Sequence, residues 1–381
     1  MTSAHLDEVY ALLPFEPVSG EGVYLADANG RQVLDLYGGH AVALLGYNHP
    51  RLTATIARQA SALLFQTNAV KLAIRNRAAD KLAEFANSGL SRVFFVNSGA
   101  EANENAIKLA LKLTGRSRVI ALEHGFHGRT AAAAAVTWGA EKWYGFPRKP
   151  MDVDFVPRDD AAAIRAAVDD TAAAIILEPV QGMAGAYDLS PDFLNAARDA
   201  AEAHGAMLIF DEVQSGMGRL GQPFGANLHG IQPDFLTTAK GLAGGLPAGA
   251  VLMRPEIAST LKLGELGTTF GGGPLACAAM ETVIETIVKE DLLAKVRANS
   301  AAIRASCCVG PVTDIQGAGL LLGLRTTVRA AAVRDALLER DILTGTSADP
   351  HVLRLLPPLI LERQHVDRLA QALGELDDAS L

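Results

Sequence analysis

The sequence predicts an α/β fold, with a large domain built on a mostly parallel central sheet and a smaller α+β domain beside it. Three observations lead there. Short, β-rich apolar runs alternate with helical patterns through the middle of the chain, and strand–helix–strand alternation calls for parallel strands with helices on both faces. The chain's 381 residues are too many for one small core. Gly is plentiful at 36 residues and aromatics make up only 6%, which suits tightly packed layers of helix and sheet better than an aromatic-rich sandwich.

Taken in order, the elements begin with a hairpin, in which DANG at 27–30 turns between strands at 22–25 and 32–36. Buried strands follow at 93–96 (VFFV), 118–122 (RVIAL), 174–177 (AIIL), 206–210 (AMLIF), 235–238 (FLTT) and 250–253 (AVLM). Between them lie helical stretches at 102–113, 161–168 and 192–204, and the alanine run 131–135 is helical. After Pro255 the pattern changes. One long helix is expected over 275–296, then strands within 312–324 and at 352–355, with helices at 331–340 and 365–373. Residues 51–255 therefore form the large domain, and residues 1–50 join 256–381 in the small one. No internal repeat is present.

Composition removes several classes of function. A net charge of −8, with Lys and Arg scattered, repels phosphate backbones and argues against a nucleic-acid partner. Cys277, Cys307 and Cys308 have neither metal-ligand spacing nor a disulfide framework. Residues 1–10 contain acidic side chains and no apolar core, unlike a signal peptide. No run reaches the ~18 apolar residues needed to span a bilayer. The expectation is a cytoplasmic protein that meets no membrane and binds no metal.

Chemistry gathers at the expected strand ends. NSGAEANE at 97–104 follows strand 93–96 and opens a helix, and Ser98 and Glu101 have capping-box spacing. A helix N-terminus offers free N–H groups and a positive dipole end, and a glycine there admits a phosphate closely. A capped helix that binds nothing has the same spacing. Gly216 to Gly221 (GMGRLG) matches G-x-G-x-x-G, but it runs on into the turn-rich QPFGAN instead of a helix, so it makes no dinucleotide site. Asp211 and Glu212 close strand 206–210, and Lys240 follows the next apolar run beside Gly241, Gly244 and Gly245. A lysine in that place is often only a surface lysine. Together, however, a phosphate cradle, a carboxylate and a lysine on neighbouring strand ends are what pyridoxal 5'-phosphate (PLP) requires. They supply an anchor, a partner that keeps the pyridine nitrogen protonated, and an amine for the imine.

Those residues resemble the class III, acetylornithine/ornithine-like aminotransferases over nearly the whole chain. The motifs that carry the likeness are NSGAEANENAIKLA at 97–110, FHGRT at 126–130, EPVQG at 178–182, LIFDEVQSGMGRLG at 208–221, TTAKGLAGGLPAGA at 237–250, TTFGGGPLAC at 268–277 and VLRLLPP at 352–358. The resemblance implies the PLP-dependent transferase fold type I, like aspartate aminotransferase. It implies that Lys240 carries PLP as a Schiff base and that Asp211 pairs with the pyridine nitrogen. Gln214 would reach the ring hydroxyl, while Val213 and Phe126 would pack on the two ring faces. Ser98, Gly99 and Ala100 would bind the phosphate, together with Thr269 from the other subunit of a homodimer. Arg129 and Arg354 would clamp substrate carboxylates, for which the guanidinium fork is suited. His124 and His127, in the loop around Phe126, would be structural. The implied reaction is ping-pong transfer of an amino group from an N-acylated ornithine-type ω-amine, N-acetylornithine foremost, to 2-oxoglutarate. Other class III donors, and an aminomutase or epimerase on the same scaffold, stay open.

Three positions depart from the family. Met183 stands where a Glu after E-P-x-Q-G is expected to mask Arg354, Gly273 where Asn is usual, and His40 where an apolar residue is usual. A buried, uncompensated charge is costly. Either another carboxylate pairs with Arg354, or Arg354 stays open to carboxylates next to the reacting carbon.

Overall fold

A computed structural model describes residues 5, 7 and 9–377. Most of the acidic segment 1–10, read above as no signal peptide, lies outside the described residues.

The centre is a seven-stranded sheet in the order Arg92–Val96, Gly249–Met253, Phe235–Thr238, Met207–Asp211, Ala172–Leu177, Arg118–Leu122, Asp152–Val156. All pairings are parallel except those of Gly249–Met253, which runs against both its neighbours. The six expected strands are all present, and Asp152–Val156 adds an edge strand that the sequence reading passed over. Every residue of Ala172–Leu177, Phe235–Thr238 and Gly249–Met253 is buried. A strand covered on both faces loses the in–out alternation, which is why these segments read as continuous apolar runs.

The expected hairpin joins Tyr24–Asp27 to Gln32–Asp35, and Asp27 Oδ1 accepts the N–H groups of Asn29 (2.8 Å) and Arg31 (2.9 Å) across the turn. Gln32–Asp35 also pairs, in parallel, with Ile342–Leu343. A second small sheet has the order Val312–Ala318, Leu321–Thr326, Val352–Leu355, Gly345–Thr346. The long helix expected over 275–296 is instead two, Pro274–Lys289 and Leu292–Ser306. The break falls at Asp291, whose φ of 48° is left-handed, a conformation that Asp tolerates better than most residues. The apolar periodicity continues past the break, so the pattern alone did not reveal it. Among the described residues no helix is long and apolar enough to cross a membrane.

Candidate active site

The strand order brings the carboxyl ends of Arg92–Val96, Arg118–Leu122, Ala172–Leu177, Met207–Asp211 and Phe235–Thr238 to one edge of the sheet, where a cavity of about 380 Å³ opens. Ser98, Gly99, Ala100, Phe126, Asp211, Val213, Gln214 and Lys240 all line it. Thr269, Arg129 and Arg354 do not.

At one side of the cavity helix Gly99–Thr114 begins. Ser98 Oγ accepts the Glu101 N–H at 3.1 Å, as the capping spacing requires. The reciprocal half differs: Glu101 accepts from the Asn97 N–H at 2.6 Å instead of from Ser98. The Gly99 and Ala100 N–H groups belong to the first helical turn, where no carbonyl lies one turn behind to take them. A Cβ on residue 99 would fall 2.7 Å from a Val213 methyl, so glycine is what lets Val213 close over the cradle.

Asp211 sits 3% exposed on the cavity floor. Its Oδ2 accepts from Asn103 Nδ2 at 2.7 Å and from His127 Nδ1 at 2.8 Å, and its Oδ1 accepts the Val213 N–H at 3.0 Å. Asn103 is in turn held by Thr237, whose hydroxyl donates to Asn103 Oδ1 at 2.6 Å. These bonds hold the carboxylate in one orientation. Neither Asn103 nor His127 was picked out as a partner of Asp211 from sequence. The signal for Asn103 was a polar residue on the buried side of an amphipathic helix. His127 leaves the loop to join Asp211, whereas His124 is exposed beside Trp138, with ring centroids 5.9 Å apart.

Lys240 begins a short 3-10 turn, Lys240–Ala243, with a left-handed φ of 46°. Such a conformation is costly for a side-chain-bearing residue, and here it projects the amine into the cavity. Burial lowers the amine's pKa to about 8, against the opposing pull of Asp211 and Glu178, and nearby Arg354 adds to the lowering. Its backbone lies three residues past Thr237, which pairs with Asp211 across the sheet. Lysine and carboxylate thus sit on adjacent strands.

Two further acids are buried. Glu178 lines the cavity and accepts the N–H groups of Phe126 (2.9 Å) and Gly182 (3.2 Å). Burial, followed by the charge of Asp211, raises its pKa to about 7. Glu212, one residue past Asp211, points the other way. It accepts from Ser215 Oγ at 3.0 Å and from the Ala226 and Gly225 N–H groups, and so caps helix Gly225–His229. The GMGRLG segment forms turns, and that helix starts only after them. Gln214 presents a buried Oε1 without a partner to the cavity.

Arg354 is 1% exposed. Its Nε donates to Thr346 O at 2.7 Å, Nη1 to Gly182 O at 3.2 Å, and Nη2 to the Tyr37 hydroxyl at 2.8 Å. Among the described residues no carboxylate forms an ion pair with it, so Met183 is not replaced by another acid at contact distance. Glu178 is within electrostatic reach but spends its oxygens on backbone N–H groups. Arg129 is exposed and stacks over the Trp143 ring, 4.6 Å from its centroid. Thr269 is exposed on the loop that leads to Gly273, the N-cap of Pro274–Lys289.

The sequence model of the class III aminotransferases matches residues 7–376. The chain belongs to this family. Acetylornithine aminotransferase of Methanocaldococcus jannaschii is 39% identical over 383 residues, covering 97% of this chain and 95% of the relative. The enzyme of that description from Streptomyces coelicolor is 43% identical over 370 residues, covering 95% and 91%. Among solved structures, the ornithine aminotransferase of Toxoplasma gondii, described with PLP at its active site, superposes with a TM-score of 0.91 at 28% identity, covering 97% of this chain and 92% of that one. The expected fold type and aminotransferase activity are therefore those of the family, whose cofactor is PLP. The residues present fit that cofactor. The cavity offers an uncommitted N–H cradle for a phosphate, an oriented carboxylate, an unpartnered amide oxygen, and a lysine of lowered pKa.

Proposed function

We propose that this class III aminotransferase transfers the ω-amino group of an N-acylated ornithine, N-acetylornithine foremost, to 2-oxoglutarate in the cytoplasm, as a step of arginine biosynthesis. The observation that carries the reading is the single cavity shared by the open helix N-terminus, Asp211 and Lys240. The names of the relatives from M. jannaschii and S. coelicolor support the choice of donor.

In this reading Ser98, Gly99 and Ala100 hold the PLP phosphate. Asp211 faces the pyridine nitrogen, Gln214 the ring hydroxyl, and Val213 and Phe126 the two faces of the ring. When bound, PLP supplies an electron sink that stabilises negative charge at the substrate carbon. Lys240 would hold the cofactor at rest, and its freed amine would take the proton from the substrate carbon as base and return one as acid. An amine of pKa about 8 suits both duties near neutral pH. Arg129 and Arg354 orient substrate carboxylates. Residues 51–255 form the cofactor domain, with 1–50 and 256–381 as the smaller one. The working unit is a homodimer in which Thr269 reaches the phosphate of the neighbouring subunit. Thr269 is exposed and outside its own chain's cavity, which supports that role. So does the apolar surface around it, with Phe270 64% and Leu64 59% exposed.

A panel of amino donors against 2-oxoglutarate tests the reading. N-acetylornithine should give glutamate at the highest kcat/KM. Turnover of α-amino acids with none of N-acylornithines would reject the donor assignment.

A further inference from the structure

Tyr37 has no part in the chemistry above, yet among the described residues it is the one side chain bonded to Arg354. Its placement is built into the backbone. The ring lies against Gly345, where a Cβ would fall 1.9 Å from a ring carbon, and Gly345 is the residue paired with Arg354 across the small sheet. Behind the ring, buried Asp35 accepts the N–H groups of Tyr37 (2.7 Å) and Gly38 (2.9 Å). The next four residues, Gly38 to Ala41, all have φ between 55° and 68°. For His40 and Ala41, which carry side chains, this left-handed turn is strained. Its result is to fold the His40 ring back over Tyr37, with centroids 4.6 Å apart and Nδ1 2.9 Å from the hydroxyl.

The donors in this cluster have a direction. A guanidinium only donates, so the Tyr37 oxygen accepts from Arg354 and its own O–H is left to donate to His40 Nδ1. Partial burial, then the positive charges of Arg354 and Lys240, lower the His40 pKa to about 4, so the ring is neutral and Nδ1 can accept. Arg354 commits three N–H groups in its three hydrogen bonds and keeps two of its five for another ligand.

We infer that Tyr37 is a specificity-determining ligand for the substrate carboxylate bound at Arg354, with His40 holding the Tyr37 hydroxyl proton between substrates. The inference rests on the transaminase reading above. An acidic partner of Arg354 would have to be displaced before a carboxylate could bind. A phenol does the opposite: its O–H rotates from His40 to the incoming oxygen, exchanging one neutral acceptor for a charged one, and adds a donor beside the guanidinium while the Arg354 bond to the phenol oxygen stays in place. The cluster therefore selects substrates with a carboxylate next to the reacting carbon, namely 2-oxo acids and α-amino acids. It has no bearing on an ω-amine whose carboxylate lies at the far end.

Steady-state kinetics of the holoenzyme test this, with glutarate, a non-reacting dicarboxylate, as a calorimetric probe. Tyr37→Phe should raise the KM for 2-oxoglutarate and the glutarate Kd by roughly ten- to a hundred-fold, the range for one hydrogen bond to a charged group. The KM for the ω-amine donor should move less than two-fold, and kcat less than KM. His40→Gly, which the left-handed backbone admits, should show a smaller change in the same parameters. His40→Asn, which keeps an acceptor near the Nδ1 position and tolerates the backbone, should restore them. An unchanged 2-oxoglutarate KM and glutarate Kd in Tyr37→Phe, or an equal rise for donor and acceptor, overturns the inference. A wild-type enzyme that turns over no 2-oxo acid overturns the transaminase reading instead.

Discussion

Asp211 receives three hydrogen bonds from Asn103, His127 and Val213, so its orientation is set by the protein. Asp211→Asn should keep the fold and lower kcat by roughly 10²–10³, the scale for losing one preorganised electrostatic partner; single-turnover absorbance would read it. Lys240 carries a pH prediction. Only a neutral amine attacks an aldehyde, and with a pKa of about 8 roughly a tenth of Lys240 is neutral at pH 7, against about 0.03% for an ordinary lysine. PLP uptake by the cofactor-free protein should speed up as pH rises toward 8 and level off above it. A rate still climbing steeply at pH 10 in stopped-flow absorbance would contradict the lowered pKa. Purified holoenzyme should be yellow with a chromophore fixed by borohydride, and Lys240→Ala should lack the fixed chromophore. At this scale the sequence was legible where residues sit in long motifs. Lys240, Asp211 and Ser98 to Ala100 stood out because strand ends and a helix cap flank them. Tyr37 carried no such signal, since its partner is 317 positions away and nothing local marks an aromatic residue as a ligand.

In the proposed site, the element that holds the cofactor's phosphate is the start of helix Gly99–Thr114. Ser98→Ala removes the cap on Glu101 N–H and should cost about 1 kcal/mol of stability, seen as a lower denaturant midpoint at constant slope. Gly99→Ala acts differently. The new methyl meets Val213 at 2.7 Å, so the cradle shifts and PLP affinity should fall while the denaturant midpoint changes little. An absorbance titration with PLP separates the two. Strand and helix types were readable because burial on both faces removes alternation and burial on one face creates a helical stripe. The break at Asp291 was not, because apolar residues at 284, 288, 292 and 296 keep helical spacing across it. The reversed direction of Gly249–Met253 was equally hidden: a strand buried on both faces reads alike in either direction.

At the scale of the molecule, the exposed apolar side chains Leu64, Phe65, Val70 and Phe270 lie on two segments that meet, with the Phe65 and Phe270 ring centroids 5.1 Å apart. In the proposed dimer, this apolar area is what the second chain covers. Sedimentation equilibrium should return the mass of two chains. Phe270→Asp should shift the population toward one chain and, through the displaced Thr269, weaken PLP retention. A dimer of full PLP affinity in that variant would place the contact elsewhere. The broad architecture followed from the alternation of strands and helices. Which distant segments meet did not, because pairings such as Gln32–Asp35 with Ile342–Leu343 depend on the folded whole.

Tyr37 and Arg354 lie 317 residues apart in the chain, which sets an order of assembly during synthesis. A ribosome adding roughly 5–20 residues per second makes Tyr37 early and Arg354 roughly 15–60 s later. The cradle, Asp211 and Lys240 have all been made before Arg354 is reached. On the proposed assignment, a nascent chain truncated near residue 300 would hold the cofactor-binding residues without the means to grip an acceptor's carboxylate.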